Sequence, residues 1–526
     1  MQHTRRVSLL FVIASVVLLV ALQPSAGAPT EPRRGGTLTL GMGASPHTLN
    51  SIIDPGIGIR VLNQSEDGLL NRDPSYRRII PGLAVEVPKR SDAVTYVFKL
   101  RPNVRFHNGR TVTAEDVVYS YNRLIDPQYR ASFGLMYRQN IASVRAVDPM
   151  TVEFKLRNEW PLFLSLVAGN HPKIVAKEDV EQPSYGVTTF TGTGPFKITN
   201  WVKGQTITLE RNANYWKQGL PYVDRVIYRT IPDEGAQVAT LRTGQIDVLI
   251  APTLEQFVLF SRDPNFTAVP QPSANTILVV FNTTKAPFDN RDVRRAISMA
   301  IDREEIVRTV FRGYAHVAGD VFPKWHWAHN PNIRVRYDPQ GAKELLAKAG
   351  YTDTTPLSFQ LLTINEALFM DQATIVQAQL AKIGIKVDVR PLEYTAQTAL
   401  VARIDAWQGA ALFRITPLRG TAYEYAYYQY SGQGPLNRSG INRAGGVQNP
   451  QLESLLQQAA AYSDDDGSDR IKARPIYAAI SRMINEEAPQ LRLNFYDDLA
   501  IVRRHVMNYT VGVFGVNSFE QVWLNR

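Results

Sequence analysis

The chain has 526 residues, no cysteine and a formal net charge of +10. That length provides for two or more domains with buried cores, and the lack of cysteine excludes disulfides, thiolate zinc sites, a cysteine nucleophile and a lipid anchor on an N-terminal Cys. With 7 Trp, 23 Tyr and 21 Phe the chain has ample apolar surface to fold, and its basic residues are scattered rather than run together, which gives no nucleic-acid footprint.

Arg5 and Arg6 precede an apolar run from Leu9 to Leu22 and the small residues Ser25-Ala26-Gly27-Ala28. This is the order of a secretory signal peptide. Residues 1–28 are therefore expected to be removed on export, and the run is short for a spanning helix, which needs about 20 residues. An uncleaved N-terminal anchor is the competing reading, and Thr4-Arg5-Arg6-Val7 also permits twin-arginine export. The expected product is a soluble periplasmic protein.

From there the chain alternates strands and helices. Thr37 to Gly41 and Thr95 to Leu100 alternate apolar and polar residues, as half-buried strands do. Asn108-Gly109 signals a turn. Thr113, three residues before Asp116, caps a helix whose inner face carries Val117, Tyr121 and Leu124. Val152 to Leu156, Thr206 to Glu210, Val223 to Ile231 and Thr276 to Phe281 read as strands. Two helices fill Asp292 to Gly313, the second capped by Asp302 and ended by Gly313. Asp338-Pro339 opens another, stopped at Gly350. Leu357–Leu362, a helix over 366–382 and Ile385–Val389 form a strand–helix–strand unit, and helices fit 450–462 and 470–487. Two α/β bodies emerge, joined near 282 and again near 495. Two crossings make a hinge with a cleft between the bodies, a common place for small-molecule sites.

Five stretches in order then resemble one family: YVFKLRPNVRFHNG at 96–109 with TAEDVVYS at 113–120; GTGPFK at 192–197; NANYW at 212–216; Phe281-Asn-Thr, Pro287-Phe-Asp and DVRRAI at 292–297; and Asp338 through Ala349-Gly350-Tyr351. They resemble the extracytoplasmic solute-binding proteins of peptide-type ABC importers, the oligopeptide, dipeptide and nickel group (family 5). The resemblance implies an α/β, periplasmic-binding-protein-like fold in three lobes around a hinged cleft: lobe I from 29–64, 186–281 and 496–526, lobe II from 65–185, and lobe III from 282–495. It implies capture of a peptide or peptide-like solute by a monomer, delivery to a permease and ATPase complex, no catalysis and no cofactor. The quoted motifs read as scaffold.

Peptide binders of this family hold the ligand's amino group with an aspartate in lobe III. The matching stretch here, Phe413 to Tyr423, has no acidic residue, and Thr363 to Ala367 lacks the arginine that dipeptide binders use for the carboxylate. The expected ligand contacts are therefore Arg414 and Arg419, as forked donors to an anionic or opine-like group, with Tyr394, Trp407, Phe413, Tyr423 and Tyr425 as apolar walls. The five tyrosines between Tyr423 and Tyr430 are read as partly core, partly pocket.

Enzyme signatures are missing: there is no Gly-x-Ser-x-Gly, His-Glu-x-x-His or P-loop. His326 and His329 lack an acidic partner close in sequence and read as packing or rim rather than metal ligands. Carboxylate pairs such as Asp497-Asp498 carry no signal in a chain of this length. A secreted hydrolase using dispersed Asp/Glu residues and a sensor domain presenting its cargo to a receptor are the alternatives.

Overall fold

The structure is a computed structural model; it describes residues 31–526 except 54–55, 74–77, 90, 130, 132–133, 171, 417–419, 465–466 and 513–517. The signal segment and Arg419 lie outside the described residues.

Two mixed sheets organise the chain. The first has seven strands in the order Phe266–Gln271, Asp498–Arg503, Val248–Ile250, Thr37–Met42, Arg225–Thr230, Thr206–Arg211 and Phe196–Val202. Thr37–Met42 runs parallel to both its neighbours. The second has six: Ala315–Val317, Gln490–Tyr496, Thr276–Phe281, Ala410–Ile415, Ser358–Ile364 and Lys386–Leu392. Helix Ala367–Ala381 joins two of its parallel strands, as the strand–helix–strand reading requires.

Sheet membership moves one boundary. Thr276–Phe281, expected to close the first body, lies inside the second sheet between Gln490–Tyr496 and Ala410–Ile415. The first crossing is thus at 272–275 rather than near 282. All six of its residues are buried, with Ile277 and Val279 packed on one face of the sheet and Leu278 and Val280 on the other. Such an unbroken apolar run marks a strand covered on both sides without saying which sheet it joins. The return crossing is one residue, Asp497, between Gln490–Tyr496 and Asp498–Arg503.

An inserted unit carries a three-stranded sheet, Thr95–Lys99, Thr151–Leu156 and Ile141–Asp148. Helix Ala114–Ile125 starts where Thr113 N–H donates to Asp116 Oδ2 at 2.8 Å, and buries Val117, Tyr121 and Leu124. The quoted motifs meet at the base of this unit. Lys197 Nζ donates to the His107 carbonyl at 3.0 Å, and His107 N–H donates to the Gly192 carbonyl at 2.8 Å. Trp216 Nε1 and Thr193 Oγ1 donate to Asp67 Oδ2 at 2.9 and 3.1 Å. Gly192, with φ +153°, packs so closely on the Ser65 carbonyl that a Cβ there would overlap it.

Helix signals in the second body hold at the atomic level. Asp302 accepts from Glu305 N–H at 3.0 Å and Asp338 from Gly341 N–H at 2.9 Å; Gly313 and Gly350, just past the two helices, have φ of +91°, as left-handed C-terminal residues do.

Candidate ligand-binding cleft

A cavity of about 1030 Å³ opens between the bodies, at the top of the roughly 300–1,000 Å³ range of small-molecule sites. The first body supplies Arg60, Thr253, Glu255 and Asp498, the first crossing Asn275, the inserted unit Met136, and the second body Tyr314, Asp371, Tyr394, Arg414, Thr416, Glu424, Tyr428 and Tyr496, among others. Contacts across it hold the parts together. The Tyr428 hydroxyl lies 3.2 Å from Met136 Sδ, Phe257 meets Tyr314 edge-on at 4.9 Å, and Arg312 pairs with Glu255 at 3.4 Å.

Arg414 stands on the cavity wall near the end of strand Ala410–Ile415, paired with Ile277. Its guanidinium hydrogen-bonds the phenols of Tyr496 and Tyr394 and lies 5.7 Å from the Tyr394 ring centre. Tyr394 heads helix Tyr394–Val401 and is 43% exposed on the same wall. The other expected contacts lie elsewhere. Trp407 is buried on the face of the second sheet that also packs Leu278, Val280 and Val401, and Phe413 packs against that layer. Tyr425 is fully buried among Phe322, Ala422 and Tyr477. Tyr423 stacks on Tyr427 at 4.6 Å and packs against the inserted unit's core, joining two lobes rather than lining the cavity. Odd-numbered residues of Ala410–Ile415 face the Trp407 layer and even ones the opposite face, so strand alternation separates Phe413 from Arg414.

The tyrosine run folds as two short helices, Ala422–Tyr425 and Tyr427–Tyr430. Tyr428 reaches the cavity; Tyr430 is core, its hydroxyl accepting from Arg492 Nη1 at 2.6 Å. His326 is buried, stacked on Phe322 at 5.1 Å, and burial lowers its pKa to about 3. Asp320 lies 3.3 Å from His329 Nδ1; the described residues contain no group of three or more metal-ligating side chains.

The carboxylates are what the linear reading missed. Asp371, Glu424, Asp497 and Asp498 share the cavity with Arg60 and Arg414. The acid-free stretch at 413–423 had pointed to an anionic ligand, but Glu424 just past it and acids from three other places in the chain, Glu255, Asp371 and the pair Asp497-Asp498, fold onto the same walls. Burial pushes the Asp498 carboxyl up to about 7, against the pull of Arg60 and a hydrogen bond from Asn275. Nothing local in the sequence marks the pair; their position follows from the strand switch at Asp497.

Among the described residues no helix is long and apolar enough to cross a membrane. The sequence model of "Bacterial extracellular solute-binding proteins, family 5 Middle" matches residues 78–435. Heme-binding protein A of Haemophilus influenzae is 27% identical over 497 residues, with 87% of each chain covered. The peptide transport periplasmic protein SapA of Salmonella typhimurium is 27% identical over 488 residues, covering 87% of this chain and 86% of its own. The solved structure of the oligopeptide-binding protein AppA of Bacillus subtilis, in complex with a nonapeptide, superposes with a TM-score of 0.76 at 25% identity, over 94% of this chain and 100% of that one. With two sheets, two crossings and a cleft between them, the chain belongs to the bacterial extracellular solute-binding proteins of family 5.

Proposed function

We propose that the protein captures a peptide or peptide-like solute in the inter-lobe cavity, outside the cytoplasmic membrane, and presents it to the permease of an ABC importer without chemical turnover. The observation that carries this reading is the cavity itself: about 1030 Å³, walled from all three parts of the chain, with apolar rings and a few charged groups. A ligand touching every wall favours the closed arrangement by the difference in its affinity for the closed and open states. The peptide bound by AppA and the peptide transport of SapA support the solute class. In this reading the mature protein acts as a periplasmic monomer after loss of residues 1–28, and its partners are the permease and its ATPase.

Native mass spectrometry of the protein purified from its own periplasm tests this directly. The expected result is one peptide-sized adduct per chain, released intact on denaturation. In small-angle scattering, removing the adduct enlarges the radius of gyration and restoring it reverses the change. Hydrolysed products from added peptides or glycosides, or an unchanged radius at saturation, would refute it.

A further inference from the structure

Two carboxylate oxygens on residues that line the cavity, Asp497 Oδ1 and Asp498 Oδ2, have no hydrogen-bond partner among the described residues, and Asp497 Oδ1 lies 3.4 Å from His316 Nε2. Asp498 Oδ2 is buried and accepts no hydrogen bond from the described residues, in a structure class where buried polar atoms are nearly always paired. The other oxygen, Oδ1, accepts from Asn275 Nδ2 at 3.0 Å. Asn275 is itself fixed: its Oδ1 accepts from the Thr416 hydroxyl at 2.7 Å. The reverse amide orientation would turn a carbonyl oxygen toward a carboxylate, so the Asp498 contact sets the flip and the Thr416 contact supports it. Thr416, Asn275 and Asp498 come from three segments: the residue after strand Ala410–Ile415, the first crossing and the start of strand Asp498–Arg503. The relay holds one carboxylate oxygen still and leaves the other without a donor, on a residue that lines the cavity.

We propose that Asp498 is the anchor for a cationic nitrogen of the ligand, positioned by Asn275 and Thr416, and that Arg414 in the same cavity holds the ligand's anionic end, so that the site selects dipolar solutes over simple anions. This rests on the peptide-capture reading above. The carboxylate sits beside the return crossing, on the first residue of strand Asp498–Arg503, rather than within the second body, so a ligand pairing with it sits next to the hinge. Burial of an acceptor without a donor disfavours the empty protein, and an arriving N–H group removes that penalty. The interaction is therefore stronger in the loaded state than in the empty one, which is what a capture site requires. A ligand carrying only negative charge would face Asp371, Asp497 and Asp498 with no compensating group of its own.

The test uses the mature protein and a pool of random tri- to pentapeptides made without Lys, Arg and His, so that the α-amino group is the single cation. A second pool is the same material N-acetylated. Retention is read by native mass spectrometry and affinity by calorimetric competition. Wild type should retain the free-amine pool and bind the acetylated pool about ten- to a hundredfold more weakly, the range expected for one charge-assisted hydrogen bond. Asp498→Asn should lose the preference for free amines. Thr416→Val, which keeps the carboxylate but unfixes its support, should weaken it partially. The pH profile separates anchoring from structure. Free-amine affinity should fall as pH drops below 7 in wild type and stay flat in Asp498→Asn, where Arg60, Arg414, Asp497 and the His316 beside Asp497 are all still in place. Equal binding of both pools by wild type overturns the anchor while leaving peptide capture intact. Retention of neither pool overturns both readings, and an Asp498→Asn protein with unaltered preference overturns the assignment to this residue.

Discussion

Replacing Asp498 by Asn should stabilise the ligand-free protein at alkaline pH while costing it ligand binding. In the folded chain burial raises the Asp498 carboxyl from 3.8 to about 7. A carboxyl whose folded pKa is raised contributes its full stability below the unfolded value and loses it as pH climbs through the folded value. The window is therefore about pH 4 to 7, and above it the ionised group opposes folding. At about 1.36 kcal/mol per pH unit the roughly three-unit shift has a ceiling of about 4 kcal/mol. Solvent in the cavity beside the carboxylate lowers that to about 1–2 kcal/mol. Asn keeps the shape and can still accept from Asn275, but carries no charge. For a chain of this size unfolding entropy converts 1 kcal/mol to roughly 1 °C. Paired thermal scans of wild type and Asp498→Asn at pH 5 and pH 8 should give near-equal midpoints at pH 5 and a variant about 1–2 °C more stable at pH 8. Glu66, which burial raises to about 8, is present in both proteins and cancels in the difference. A pH-independent difference, or a variant less stable at pH 8, would refute the reasoning that Asp498 Oδ2 is buried without a hydrogen-bond donor.

Four further outcomes follow from the same structure. Arg414→Ala should weaken binding of the natively retained cargo by about ten- to a hundredfold in calorimetry, with a melting midpoint within about 1 °C of wild type, since its side chain opens into the cavity. Gly192→Ala should cost at least about 3 kcal/mol and reduce soluble yield, because the added Cβ meets the Ser65 backbone at the base of the inserted unit; chemical unfolding measures it. Tyr425→Phe should leave stability within about 0.5 kcal/mol of wild type, because its buried hydroxyl has no partner among the described residues. Tyr430→Phe should cost about 1–3 kcal/mol, because it deprives the buried Arg492 of an acceptor at 2.6 Å; the two denaturation curves compared side by side check both.

The residue order alone determined the local elements and the family. Caps such as Thr113, Asp302 and Asp338 act within one helical turn, so a few neighbouring residues suffice to start a helix. Gly313 and Gly350 end theirs by a backbone angle that other residues seldom adopt. The Gly192–Lys197 and Asn212–Trp216 motifs were legible as scaffold, and their contacts with His107 and Asp67 give the reason. Tertiary structure alone decided which residues face the cleft. Arg414 and Phe413 are adjacent in sequence and lie on opposite faces of one strand, while the tyrosines 425, 428 and 430 divide between core and cavity by helix rotation. Asp497 and Asp498 were indistinguishable from any other carboxylate pair, because their meaning depends on Asn275 and Thr416, more than 80 residues away in the chain. Local rules act over a few bonds. A ligand site is assembled from segments that only the packing of two sheets brings within hydrogen-bond reach, and burial then sets the charge that each group carries there.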